Sequence, residues 1–172
     1  MQIPFKIRQF NRIVVMPRFV IIHDVNCQAH NFGSVKIDNK ECQINKLRNI
    51  EYKINNQPDL NYHYVVEMIR EDYEALMGRP FGVRCDYPDI PRPHEFAFHV
   101  CIMGDFNLDI PDNRLYQKIA YNILAPTLKM FKIPMANIFL HTEVTTDKEI
   151  HCPGHFFDKK RLINQLRSMR LF

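Results

Sequence analysis

The run from Glu95 to Phe106, EFAFHVCIMGDF, constrains the fold more than any other stretch of the chain. It is apolar at successive positions instead of alternate ones, the pattern of a central strand covered on both faces. Two shorter runs have the same character. RFVIIHD is β-branched and apolar and places His23 at its carboxyl end, on a sheet rim, and ANIFLHT reads as a strand ending at His141. LNYHYVVEMI and YEALMG, separated by REDY, have enough β-branched and aromatic content for a hairpin.

Between these runs the period changes. Ile44, Leu47, Ile50 and Ile54 recur at three- to four-residue steps in NKECQINKLRNIEYKI, which predicts an amphipathic helix lying on the sheet. A second helix is expected from about Arg114 to Lys132, capped by Asp112 or Asn113, with Leu115, Ile119, Ile123, Leu128 and Phe131 on its apolar face. Pro126 lacks the backbone donor and should kink or split it. FDKKRLINQLRSM reads as a closing helix. From Gly78 to Pro93 the chain carries four of its 11 prolines and shows no period, so an irregular segment bordering a site is expected.

At 172 residues the chain has the length of one ordinary domain, and a single domain over 1–172 is expected. No run approaches the roughly 18 consecutive apolar residues that a membrane span needs. The formal charge of +4 would suit an anionic polymer without identifying one. The first residues alternate basic and apolar side chains and show no secretory signal. Five cysteines, at positions 27, 42, 85, 101 and 152, form no CxxC pair, which argues for reduced thiols and synthesis in a reducing cytoplasm.

The segment HTEVTTDKEIHCPGH concentrates three histidines and a cysteine in fifteen residues. With His23 and His141 at strand ends, Cys152 would complete two imidazoles and a thiolate, a natural donor set for zinc that leaves the fourth tetrahedral position open, as in catalytic sites. Spacing alone does not single out this set, because His23 and His141 lie far apart in sequence.

VIIHD, NYHYVV, IMGDFN and HTEV…CPG occur in the order and approximate spacing of the zinc-dependent N-acetylmuramoyl-L-alanine amidases, a family that includes phage lysozyme-like amidases and the peptidoglycan recognition proteins. The chain resembles that family from about Phe19 to Leu166. The resemblance implies an α/β fold, a central mixed β-sheet flanked by helices, with a zinc cleft at one sheet rim. It implies zinc on His23, His141 and Cys152, with Tyr62 positioning the reacting carbonyl or the attacking water, and hydrolysis of the amide joining N-acetylmuramic acid to L-alanine.

The chain also departs from the family pattern. Many active relatives place a Lys or Thr two residues before the cysteine, where Ile150 stands here on a longer loop. Lys148 is the expected catalytic substitute, His151 is a second candidate and a competing zinc ligand, and Glu143 is a candidate acceptor for a ligand histidine. In the Pro-rich middle segment His94 is expected to line the cleft and contact substrate. His63 and His99, and Cys101 beside the latter, read as structural. Peptidoglycan or muropeptides are the expected partners, with no nucleic acid, no stable membrane insertion and a monomeric state. Without a signal peptide, the protein would act on the cell wall after release or non-classical export. A non-catalytic muropeptide-binding module of the same fold, or an amidase for another amide, remain as alternatives.

Overall fold

The computed structural model describes residues 16–25, 44–53 and 59–169. The basic and apolar first residues, together with Cys27, His30, Cys42 and Ile54, lie outside them.

Among the described residues five strands form one mixed sheet: β1 (Phe19–Asp24), β2 (Tyr64–Ile69), β3 (Asp72–Met77), β4 (Ala97–Ile102) and β5 (Ile138–Leu140). Their spatial order is β3-β2-β4-β1-β5. Only the β2–β3 hairpin is antiparallel; β4 runs parallel to both β2 and β1, and β1 runs parallel to β5. The apolar run at 95–106 therefore supplies a central strand, and every residue of β4 is buried.

Strand alternation sends successive side chains to opposite faces and creates two cores. Val20, Ile22, Phe98, Val100 and Ile102 face one way, onto α2 (Asn113–Lys118), a π-helical stretch (Ile119–Leu124), α3 (Ala125–Phe131) and the closing helix α5 (Lys159–Ser168). That core is filled by Leu115, Ile119, Ile123, Leu124, Leu128, Leu162 and Leu166, the residues that the 3.6-residue period selects. Ile21, Val65 and Cys101 face the other way, toward Leu47 of α1 (Ile44–Lys53) and toward Tyr62, Tyr87 and Ile90.

The expected long helix starts at its Asp112 cap, whose side chain accepts the Leu115 N–H at 3.0 Å. Pro126 does not split it. The turn just before it widens instead, with the Ala125 N–H reaching back five residues to the Ala120 carbonyl. A wider turn absorbs the missing donor and the ring's clash with the preceding turn without a break. The strand expected to end at His141 ends at Leu140, and His141 opens the short helix α4 (His141–Val144).

Candidate metal centre

His23 is the penultimate residue of β1, opposite Cys101 of β4, and its side chain points to the face carrying α1. Because β5 lies beside β1, the residue following β5 arrives next to the end of β1, and the rings of His23 and His141 sit 4.6 Å apart. The eleven-residue step from His141 to Cys152 is closed by two bonds from one residue. The Thr142 N–H donates to the Cys152 carbonyl at 3.0 Å and the Thr142 hydroxyl to that of Ile150 at 3.0 Å. Gly154, at φ +98°, turns the chain against the backbone of Phe106, where any Cβ would collide.

The result is that one donor atom each from His23, His141 and Cys152 lies within 4.8 Å of the others, and all three residues are fully buried. Such a group of ligand atoms can hold a metal ion. Each member is also tethered from behind. The Nε2 of His141 meets Oδ2 of Asp89 at 2.7 Å, and the Nε2 of His23 meets Nδ1 of His99 at 2.8 Å. The Asp24 N–H donates to the sulfur of Cys152 at 3.3 Å, a contact that favours a thiolate.

The Pro-rich segment covers this cluster. Asp89 accepts the Thr145 hydroxyl at 2.8 Å on the same oxygen that meets His141, and its carbonyl accepts the Thr146 N–H at 2.9 Å, so the segment is fastened to the loop after α4. Burial acts to raise the Asp89 carboxyl, but the hydrogen bonds from His141 and Thr145 outweigh it and hold it below the ordinary carboxylate value. Tyr87 lies flat on both His23 and His99, at 4.8 and 4.5 Å between ring centroids, and donates its hydroxyl to the Asn61 carbonyl at 2.7 Å. A cavity of about 200 Å³ is walled by Tyr87 and His99, the two residues stacked on His23, together with Arg84, Arg92 and Glu95.

Tyr62 reaches the same place. It is fully buried with its ring edge-on to His23 at 5.6 Å. Burial, reinforced by neighbouring Tyr87, pushes its phenol well above the ordinary value, so it keeps its proton at neutral pH and can donate a hydrogen bond. Its backbone is held by the Arg79 N–H at 2.7 Å, and Gly78 packs so closely on the Tyr62 carbonyl that a side chain there would overlap it.

The remaining sequence candidates fall elsewhere. Lys148 is exposed in the turn before Ile150, and among the described residues it makes no hydrogen bond or ion pair. His151 is exposed and its ring meets His155 at 4.6 Å instead of entering the cluster. His94 packs its ring between Phe19 and Phe139, at 4.8 and 5.0 Å, by the first residue of β1, and is absent from the cavity wall. Glu143 accepts the Leu140 N–H and the Lys159 ammonium, both at 2.6 Å, and it is Asp89 that meets the ring of His141.

Asp89, Tyr87 and His99 escaped the sequence reading. The only signal for the first two was that an irregular, Pro-rich segment often borders a site. His99, expected to be structural, touches His23. By contrast, Cys85 and His63, 3.6 Å apart, form a quiet pair: burial pushes the thiol up to about 12 and the imidazole down to about 4, so both stay neutral.

No family model matches the chain, and no curated protein matches it. Solved structures do. N-acetylmuramoyl-L-alanine amidase LysC from Clostridium intestinale URNW shares 16% identity, with 90% of this chain and 88% of that chain covered at a TM-score of 0.65. The endolysin of a Thermus scotoductus bacteriophage shares 17% identity, with 93% of each chain covered at a TM-score of 0.63. A mutant of the Drosophila peptidoglycan recognition protein PGRP-LB, solved in complex with tracheal cytotoxin, shares 17% identity, with 95% of this chain and 88% of that one covered at 0.62. The fold is therefore the one these amidases, endolysins and recognition proteins share, as the sequence resemblance implied.

Proposed function

We propose that this protein is a zinc-dependent amidase that hydrolyses the bond between N-acetylmuramic acid and L-alanine in peptidoglycan. The observation that carries the reading is the convergence of His23, His141 and Cys152 on one buried point in a fold shared with peptidoglycan amidases. The donor set fits zinc. Two imidazoles and a sulfur form the protein part of an open catalytic site, and each is oriented by a further hydrogen bond, as ligands of this metal usually are. With Nε2 of each imidazole engaged by His99 or Asp89, Nδ1 is the nitrogen that each ring offers the metal.

Zinc held there would polarise the scissile carbonyl and acidify water toward neutrality. The protein's own groups do the rest. The protonated Tyr62 phenol donates a hydrogen bond to the oxygen on which negative charge develops. The Asp89 carboxylate keeps His141 in the Nε2–H form and stabilises positive charge at the centre. The Asp24 N–H supports the anionic form of Cys152. For the proton that the leaving amine needs, Lys148, exposed on the loop between His141 and Cys152, is the proposed source. The substrate is a wall polymer, so the site of action lies at the cell wall, and no helix among the described residues is long and apolar enough to cross a membrane.

The test is zinc content of protein purified without added metal, alongside His23→Ala and Cys152→Ala, with release of stem peptides from purified sacculi assayed on the same samples. About one zinc per chain, lost in both variants together with stem release, is the expected result. Zinc without stem release would overturn the substrate assignment, and absence of zinc would overturn the mechanism.

A further inference from the structure

Among the described residues His99 is the one histidine that reads as ordinary core material in the sequence and yet touches a proposed metal ligand. Its ring lies on the same face of the sheet as His23, because Ile21 pairs with His99 across β1 and β4 and the next same-face residue of β1 is His23. The two rings are stacked at 5.1 Å and joined at 2.8 Å from His23 Nε2 to His99 Nδ1.

His99 is itself held from several sides. Its backbone N–H donates to Nδ1 of His63 at 3.0 Å, and its carbonyl accepts the His63 N–H at 2.9 Å. Since Nδ1 of His63 accepts, the proton of that ring sits on Nε2, which donates to the Val83 carbonyl at 3.1 Å. Tyr87 covers the His99 ring at 4.5 Å with its plane only 21° off parallel. A ring so placed has little freedom to turn.

We infer that His99 is a positioning residue for the metal centre: its Nδ1 accepts the Nε2–H of His23 and so fixes His23 with Nδ1 toward the ion. This rests on the zinc reading above. The acceptor on His23 is neutral, whereas the acceptor on His141 is the carboxylate of Asp89. Charge explains the asymmetry. This buried face already holds the Asp89 carboxylate on His141 and the buried Glu51, which acts on Tyr62 and Tyr87, so a further carboxylate behind His23 would add negative charge where burial makes it costly. Imidazole supplies the hydrogen bond without the charge.

The test compares zinc affinity, by competition with a chromophoric chelator, in the parent, His99→Leu and His99→Asn, with visible spectra of the cobalt-loaded proteins. Leucine fills the space without an acceptor, and the asparagine amide oxygen can stand near the position of Nδ1. Zinc binding about 10- to 100-fold weaker in His99→Leu, with a changed cobalt spectrum and substantial recovery in His99→Asn, is the expected result. Equal affinity in all three, or asparagine as weak as leucine, would overturn it. Nitrogen NMR of the zinc-loaded parent tests the same bond without substitution: a proton on Nδ1 of His99 would overturn the inference even if the leucine variant failed to fold. A parent that bound no zinc would sink the functional reading and this inference together; a zinc-binding parent with indifferent variants sinks only the latter.

Discussion

The two faces of the sheet are built on different principles. One face meets α2, the π-helical stretch, α3 and α5 through an almost wholly aliphatic and aromatic core, and each helix contributes residues at its own regular period. The other face carries α1 and a Pro-rich segment, and within it lie His23, His99, His141, Tyr62 and Tyr87, buried and joined by directed contacts. The comparison separates a face whose contacts are interchangeable in kind from a face whose contacts are individually specified. Hydrophobic burial is non-directional and tolerates repacking, while a buried polar group must find its partner or lose its solvation for nothing.

The comparison breaks most visibly on the aliphatic face. Ile123 is fully buried in the helical core, so Ile123→Ala should cost about 2–5 kcal/mol. Urea denaturation would measure this loss, and zinc bound per folded chain should stay unchanged; a loss of metal stoichiometry in the folded fraction would show that the faces are not separable.

For a buried polar group the corresponding effect depends on pH, and His63, bonded to the His99 N–H and the Val83 carbonyl, shows it. Burial lowers His63 from 6.5 to about 4. Between those values the unfolded chain binds a proton that the folded chain refuses, so stability is full above 6.5 and falls as pH drops toward 4. The loss is about 3 kcal/mol for this group. Denaturation of chelator-treated protein across that range should show the slope, reduced in His63→Phe; an unchanged slope in the variant would assign it to other groups.

The smallest expected effect sharpens the boundary of the site. Gly78→Ala forces a methyl group against the Tyr62 carbonyl and should cost about 1–3 kcal/mol. Because the strain falls on the residue bearing the phenol, stem-peptide release should drop more than zinc binding does. Equal loss of both would mean that the whole cluster had moved.

Much of the fold was legible because its signals are local. Continuous apolarity marked β4, β-branching marked β1, and helical periodicity marked Leu115, Ile119, Ile123 and Leu128, each within a window of a few turns or one strand. The widened turn before Pro126 was not legible, since a proline announces a lost hydrogen bond but not how neighbouring turns redistribute it. In the site, His23 and His141 stood at strand ends, but it was the resemblance of VIIHD and HTEV…CPG to the amidase motifs that joined them to Cys152. Lys148 and Glu143 were chosen by proximity in sequence and His94 by likeness to the family's cleft histidine, and the structure places them in an exposed turn, on Lys159, and in an aromatic contact by the first residue of β1.

By itself, then, the sequence determined the strands and the helices, because propensity and periodicity are properties of short segments, while the three converging donors were marked by the ordered motifs of the family resemblance. Only the tertiary structure decided what stands behind those donors. His99 lies 76 residues from His23 and Asp89 lies 52 from His141, and each pair meets because strand register and a fastened Pro-rich segment bring them within hydrogen-bonding distance. Register is a collective property of the sheet, so no single segment carries it.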